Sequence, residues 1–107
     1  MAWHHLALAH HNTFNQLVNH IEESIDLSAL KKELSELRQA IKDKQDSSPR
    51  SDIALVKVAE AEIAATEKDT AKVVEHLKAA GIWTMDFAKE IGKDLVVAAI
   101  KQAMGMG

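Results

Sequence analysis

The sequence predicts an all-α protein of about five helices, with a short heptad-like helix at residues 27–45 and a C-terminal helical bundle at 52–104. Residues that favour strands are scarce, because the 107-residue chain holds no Tyr, two Phe and two Trp. Val and Ile are scattered among Ala, Leu, Glu and Lys, which favour helix. One Pro and four Gly leave few places where a helix must break.

Length, charge and composition exclude several classes of protein. A chain of this size with 47% hydrophobic residues builds one modest core. Its 13 basic and 16 acidic residues are interspersed and sum to -3, so the basic stripe typical of nucleic-acid binding is missing. The absence of Cys excludes disulfides and thiolate metal sites. The longest apolar run, residues 95–100, is far shorter than the ~20 residues that span a bilayer. No secretory signal begins the chain, and we expect a cytoplasmic protein.

The sequence divides into four segments. We predict a His-rich N-terminal arm at 1–11, a helical or coiled-coil self-association segment at 12–45, a linker at 46–51 and a helical bundle at 52–107. The polar, Ser-rich stretch at 43–52 holds the single Pro, which disfavours helical geometry at the preceding residue. Capping residues place the helix starts. The candidates are Asn12 or Thr13, Asp26 or Ser28, Ser51 or Asp52, and Asp69.

The second helix carries a narrow apolar stripe at 3-4-3-4 spacing, which is heptad spacing. Its members are Leu27, Leu30, Leu34, Leu37 and Ile41. Such a stripe is narrower than a helix in a globular core usually needs, so we predict an interface for self-association along it. It lasts little over two heptads, and an ordinary amphipathic helix packed on its neighbours explains the same spacing.

The C-terminal half predicts three more helices. The third helix has a broad apolar face that we expect to be buried, formed by Ile53, Val56, Ala59 and Ile63 with their neighbours Leu55, Val58 and Ala64. A short fourth helix should close at Gly81 in the left-handed region. The last helix is predicted at 83–104, with a bend or close crossing at the glycine inside it. Its core anchors are Trp83, Phe87, Ile91 and Leu95.

No catalytic or cofactor motif is present. Nucleophilic catalysis needs an activated nucleophile, yet Cys is absent and no Ser sits in a strand-turn-helix setting. The acidic pairs Glu22/Glu23 and Glu60/Glu62 fall on different helix faces, which suits solvation rather than acid-base catalysis. Four scattered Gly cannot build a phosphate-binding loop. We therefore predict a protein that is not an enzyme, with no cofactor and no small-molecule substrate.

Two stretches resemble a group of short bacterial proteins of unknown function. These are IEESIDLSALKKELSELRQAIK at 21–42 and DTAKVVEHLKAAGIWTMDFAKEIGKDLVVAAIKQAMG at 69–105. The shared features are an Ile-Asp-Leu-x-x-Leu start to a charged helix and a Leu-Lys-x-Ala-Gly-x-Trp stretch that is followed by Ile-Gly. The resemblance implies a bacterial source and an all-helical fold, and it implies no site residues.

These observations favour a non-enzymatic protein-interaction or self-assembling accessory module. We expect a homo-oligomer or a complex with another protein, and no nucleic-acid partner. The alternative is a membrane-active effector that uses the amphipathic C-terminal helix. A face packed into the domain core explains the same apolar pattern, so a membrane partner is not expected.

Histidines cluster at the start of the chain. Five of the six lie in the first twenty residues, yet no two of them have the i, i+3 or i, i+4 offset that places two imidazoles on one helix face. We therefore expect no metal site, although ligation between subunits and a pH response remain alternatives.

We predict that removal of residues 1–11 does not unfold the protein. A structural metal would contribute its binding energy to folding, so a chelator would then lower the melting temperature. The test compares melting with and without chelator for the full chain and for a chain that begins at Asn12, alongside elemental analysis. Stoichiometric zinc or nickel with a chelator-dependent midpoint would contradict the prediction. It would indicate ligation between subunits by His4, His5, His10 or His11.

Overall fold

The computed structural model describes residues 14–106, and this part of the chain is helical without strands, as predicted. The five helices are α1 at 14–24, α2 at Leu27–Lys44, α3 at Pro49–Thr66, α4 at Thr70–Glu90 and α5 at Asp94–Ala103. The His-rich arm and the cap candidates Asn12 and Thr13 lie outside the described residues.

Side-chain caps fix the starts of three helices. Asp26 caps α2 by accepting a hydrogen bond from the Ser28 backbone N–H at 2.9 Å, and Asp69 caps α4 as predicted. The cap of α3 is Ser48 rather than Ser51 or Asp52. Pro49 can occupy the first helical position because its fixed φ suits the helix and no partner is needed for its missing N–H. The α3 helix therefore begins inside the predicted linker.

Three helices end in the same two-bond motif, in which the residue after the C-cap has positive φ. At α4 the Lys93 N–H donates to the Ala88 carbonyl at 2.9 Å and Gly92 has φ 78°. The prediction of one continuous helix at 83–104 is therefore wrong, because the glycine ends α4 instead of bending a longer helix. Equivalent bonds close α3 around Lys68 and α5 around Gly105.

The α4 helix is kinked at Gly81. Its φ of 78° is positive as predicted, but its ψ of -171° is extended, so the chain changes direction there and resumes helical geometry. The Thr84 hydroxyl donates to the Ala80 carbonyl at 3.0 Å across this kink and satisfies an acceptor that the break would expose. The predicted short fourth helix is thus the first part of α4.

One hydrophobic core includes residues from all five helical segments. The α3 helix packs against both α2 and α4, and α5 packs against α4 and less extensively against α2. The predicted self-association segment and bundle therefore pack together as one unit. Within this unit the α2 stripe faces inward: Leu30, Leu34 and Leu37 are fully buried and Ile41 nearly so, while Leu27 is partly buried.

The prediction of an accessible seam on α2 is thus wrong, because these leucines pack inside their own chain. The predicted face of α3 is buried only in part, at Val58 and Ala64. The buried residues of this helix are mostly small: Ser51, Ala54, Val58, Ala61, Ala64 and Ala65. Ile53, Val56 and Ile63, which we expected in the core, are 53%, 54% and 59% exposed. Small side chains let α3 approach both neighbours closely, and the larger ones are left outside.

Polar contacts tie the helices to one another. Arg38 of α2 donates from Nε to Glu62 Oε1 of α3 at 2.7 Å, and this carboxylate raises the pKa of the guanidinium. Glu33 Oε1 of α2 accepts from the Leu95 and Val96 backbone N–H groups at 3.0 and 3.3 Å. Since the N-cap of α5 makes no side-chain cap bond of its own, Glu33 caps that helix from a neighbouring one.

Two apolar residues on adjacent helices test this arrangement. We predict that Leu34→Ala costs about 2–5 kcal/mol of unfolding free energy, because it opens a cavity in the core. Ile63→Ala should cost less than about 0.5 kcal/mol, because the side chain is mostly solvated. Urea unfolding at low protein concentration measures both. Similar losses for the two variants would contradict the difference in burial between Leu34 and Ile63.

Candidate interaction surface

The outward side of α3 carries a row of apolar side chains, here named the α3 outer face: Ile53, Val56, Ala59 and Ile63. Spacings of three and four residues keep them along one side of the helix. The opposite side holds the small residues packed between α2 and α4. The outer face is therefore exposed to solvent, because the alanine side of α3 packs against α2 and α4.

A groove adjoins the N-terminal end of this face, where α3 passes the kink in α4. It encloses about 490 Å³. Its walls, here called the kink groove, are formed by Arg50, Ile53, Ala80, Gly81, Ile82, Trp83, Asp86 and Met104. Ile82 is 54% exposed, and Arg50 and Asp86 supply one charge of each sign. The groove is apolar with a charged rim and continues the outer face through Ile53.

The acid beside the outer face is neutralised within the chain. Lys57 Nζ lies 3.0 Å from Glu60 Oε1, and this hydrogen bond lowers the pKa of Glu60. His76 Nδ1 approaches the same carboxylate oxygen at 3.9 Å and adds to its stabilisation when protonated. Glu60 and Glu62 thus bind groups on opposite sides of α3, as expected for residues at i, i+2.

The ends of the outer face carry exposed charges of both signs. Arg50 and Asp52 lie at the N-terminal end of α3, and Glu67 and Lys68 follow its C-terminal end. A helix lying across this face therefore meets a basic and an acidic group at each end. Such groups influence orientation and specificity more than they raise affinity.

The predicted core anchors differ in their burial. Phe87 is 8% exposed, while Trp83, Ile91 and Leu95 are partly buried and packed against the core. The Trp83 and Phe87 rings stack with centroids 5.7 Å apart. Lys44 Nζ lies 4.9 Å from the Phe87 centroid and 5.7 Å from that of Trp83. This cation–π contact joins the C-terminal end of α2 to α4.

Two other kinds of candidate site, a second cavity and a metal-binding cluster, have less support in the described residues. A second cavity of about 600 Å³ is lined by Ser28, Lys31, Lys32, Ser35, Glu36 and Glu62. These side chains are polar, and Glu62 is already paired with Arg38. Within residues 14–106 no group of three or more His, Asp or Glu is placed to hold a metal ion.

The apolar residues of α5 are largely used inside the fold. Val96, Ala99, Ile100 and Ala103 are buried, so the apolar side of the C-terminal helix is packed into the core. Across the described part of the chain, every helix is too short or too polar to span a bilayer.

The sequence reasoning missed the α3 outer face although a signal was present. Ala54, Val58, Ala61 and Ala65 repeat at spacings of four, three and four residues, which marks a second, small-residue stripe on the same helix. The predicted broad face combines members of both stripes, since it includes Ile53 and Ile63 as well as Val58. Comparison of the sequence with family models, with curated proteins and with solved structures gave no match.

The two stacked rings make different predicted contributions to stability. Phe87→Ala should cost about 3–5 kcal/mol, the usual loss for a buried aromatic residue. Trp83→Ala should cost less, because part of that ring is already solvated, and Trp83→Phe should retain most of the contact with Lys44. Denaturant unfolding of the three variants provides the measurement. A Trp83→Ala loss as large as that of Phe87→Ala would show that the ring is a full core anchor.

Proposed function

We propose that the chain is a non-enzymatic protein-interaction module that presents the α3 outer face and the kink groove to an amphipathic helix of a protein partner. One observation carries the proposal. Three large β-branched side chains, each more than half exposed, lie along one side of a helix whose opposite side is packed with alanines. A continuous apolar row on a small folded domain is typical of an interaction site.

The form of the surface favours a helix as its occupant. From Ile53 to Ile63 the outer face runs about 15 Å along α3 at 1.5 Å per residue, and apolar contacts at helical spacing match an apolar helix face. The kink groove at one end has room for a large apolar side chain. An anchor of this kind, buried in a pocket near charged residues, usually provides much of the binding energy.

The electrostatics are compatible with burial of this surface. Glu60, the acidic residue closest to the middle of the face, is held by Lys57 at 3.0 Å and does not need a partner. The remaining charges lie at the two ends, where they stay at the rim of a complex. A partner helix with charges of both signs near each of its ends fits this distribution.

Site-specific crosslinking tests the proposed function. We expect a photoreactive amino acid at position 63 to give one discrete covalent adduct in cells, because this site is the most exposed apolar position of the outer face. The same group at position 89, an exposed Lys on α4, is the control and should give none. A Val56→Lys substitution should remove the adduct without changing the melting temperature. Equal adducts at both positions, or no adduct at position 63, would contradict the proposal.

A further inference from the structure

We propose that Gly81 is the residue on which the kink groove depends, and that its backbone conformation, rather than its small size, gives the groove its shape. This inference rests on the proposed function and names a positioning residue of the same surface. Gly81 has no side chain to offer a partner. It acts through Ile82 and Trp83, which follow it in the chain and line the groove.

Gly81 has a backbone conformation that is almost confined to glycine. Its φ of 78° and ψ of -171° lie in a region that residues with a Cβ atom hardly ever occupy. Lack of space is not the reason for a glycine at this position, because a Cβ built there meets nothing within 4 Å. A larger residue is therefore excluded by backbone geometry and not by its neighbours.

Packing on both sides of Gly81 imposes this conformation. Ala80 before it and Thr84 and Phe87 after it are all buried. The Thr84 hydroxyl donates to the Ala80 carbonyl at 3.0 Å across the kink, and Lys44 of α2 lies over the Phe87 ring. Since both parts of α4 are held in place, the residue between them must take the observed φ and ψ.

The walls of the groove lie on both sides of this pivot. Ala80 precedes it, while Ile82, Trp83 and Asp86 follow it. A return to helical geometry at position 81 would change φ by about 140° and ψ by about 130°. Rotations of this size move the later wall residues relative to α3. The groove would then be lost, while the α3 outer face, which belongs to another helix, would remain.

Gly81→Ala tests the proposal, and Gly92→Ala is its matched control. Gly92 also has φ 78° and equally open space around a Cβ, but it ends α4 and is not part of the groove wall. Both substitutions place a Cβ at positive φ, so both should lower the melting temperature. Only Gly81→Ala should change the groove.

Amide hydrogen exchange reports on the kink without a partner. A helix that restarts after a break leaves its first N–H groups without backbone acceptors, and an unbroken helix supplies them. We expect Gly81→Ala to slow exchange at Trp83 and Thr84 by a factor of about five, because alanine favours helical geometry at position 81. Loss of stability alone would make these amides exchange faster. Faster or unchanged exchange at both amides would overturn the proposal.

Thr84 provides a second pair of variants that keeps Gly81 in place. Thr84→Val removes the hydroxyl that bonds the Ala80 carbonyl, whereas Thr84→Ser retains it. We expect slower exchange of the amide at position 84 in the valine variant only, since the free carbonyl then accepts from the backbone N–H. If Gly81→Ala does not fold, this pair decides, and equal exchange in the two variants overturns the proposal.

Photocrosslinking in cells separates this inference from the proposed function. A photoreactive amino acid at position 82 reports on the groove, and one at position 63 reports on the α3 outer face. Gly81→Ala should lower the adduct yield at position 82 relative to that at position 63, and Gly92→Ala should not. An unchanged ratio in Gly81→Ala overturns this inference alone. No adduct at either position of the natural chain overturns the proposed function, while amide exchange still decides whether the groove depends on Gly81.

Discussion

The close packing of α3 between α2 and α4 is the constraint on which the rest of this structure depends. Because α3 contacts helices on two sides, the residues facing them must be small enough for both neighbours to approach. Ala54, Ala61, Ala64 and Ala65 meet this condition, and the leucines of α2 supply the volume that they lack. A narrow stripe on α2 is therefore sufficient for a globular core, because interiors are filled by matching large residues with small ones.

The packing of α3 between its neighbours also determines which of its side chains are exposed on the surface. With the alanine side turned inward, Ile53, Val56 and Ile63 are left in solvent, and each forgoes most of the roughly 1.5–3 kcal/mol that full burial of such a side chain provides. A domain without a partner would be equally stable with polar residues at these positions. These exposed apolar side chains are therefore the main support for the proposed partner, and the neutralised Glu60 beside them lowers the electrostatic cost of covering the face.

Sequence patterns predicted the all-helical fold but not which apolar residues of α2 and α3 are buried. Local chemistry was sufficient for the caps at Asp26 and Asp69, since a capping side chain bonds within its own turn. Periodicity located the helices, but it cannot say which of two stripes on one helix faces the core. That choice depends on the volumes of the neighbouring helices, and for this reason Leu34 is buried where an interface is predicted and Ile63 is exposed where burial is predicted.

Sequence patterns could not predict the long-range polar contacts either. These contacts determine how α5, the last helix, is held against α2. Gly92 terminates α4 through local bonds, which leaves the first N–H groups of α5 in need of an acceptor. Glu33, more than sixty residues earlier, provides it, while Lys93 lies 3.3 Å from Glu36 one turn further along α2. Glu33 and Glu36 belong to the charged side of α2. This side therefore positions α5, while Ile53, Val56 and Ile63 of the α3 outer face remain mostly exposed.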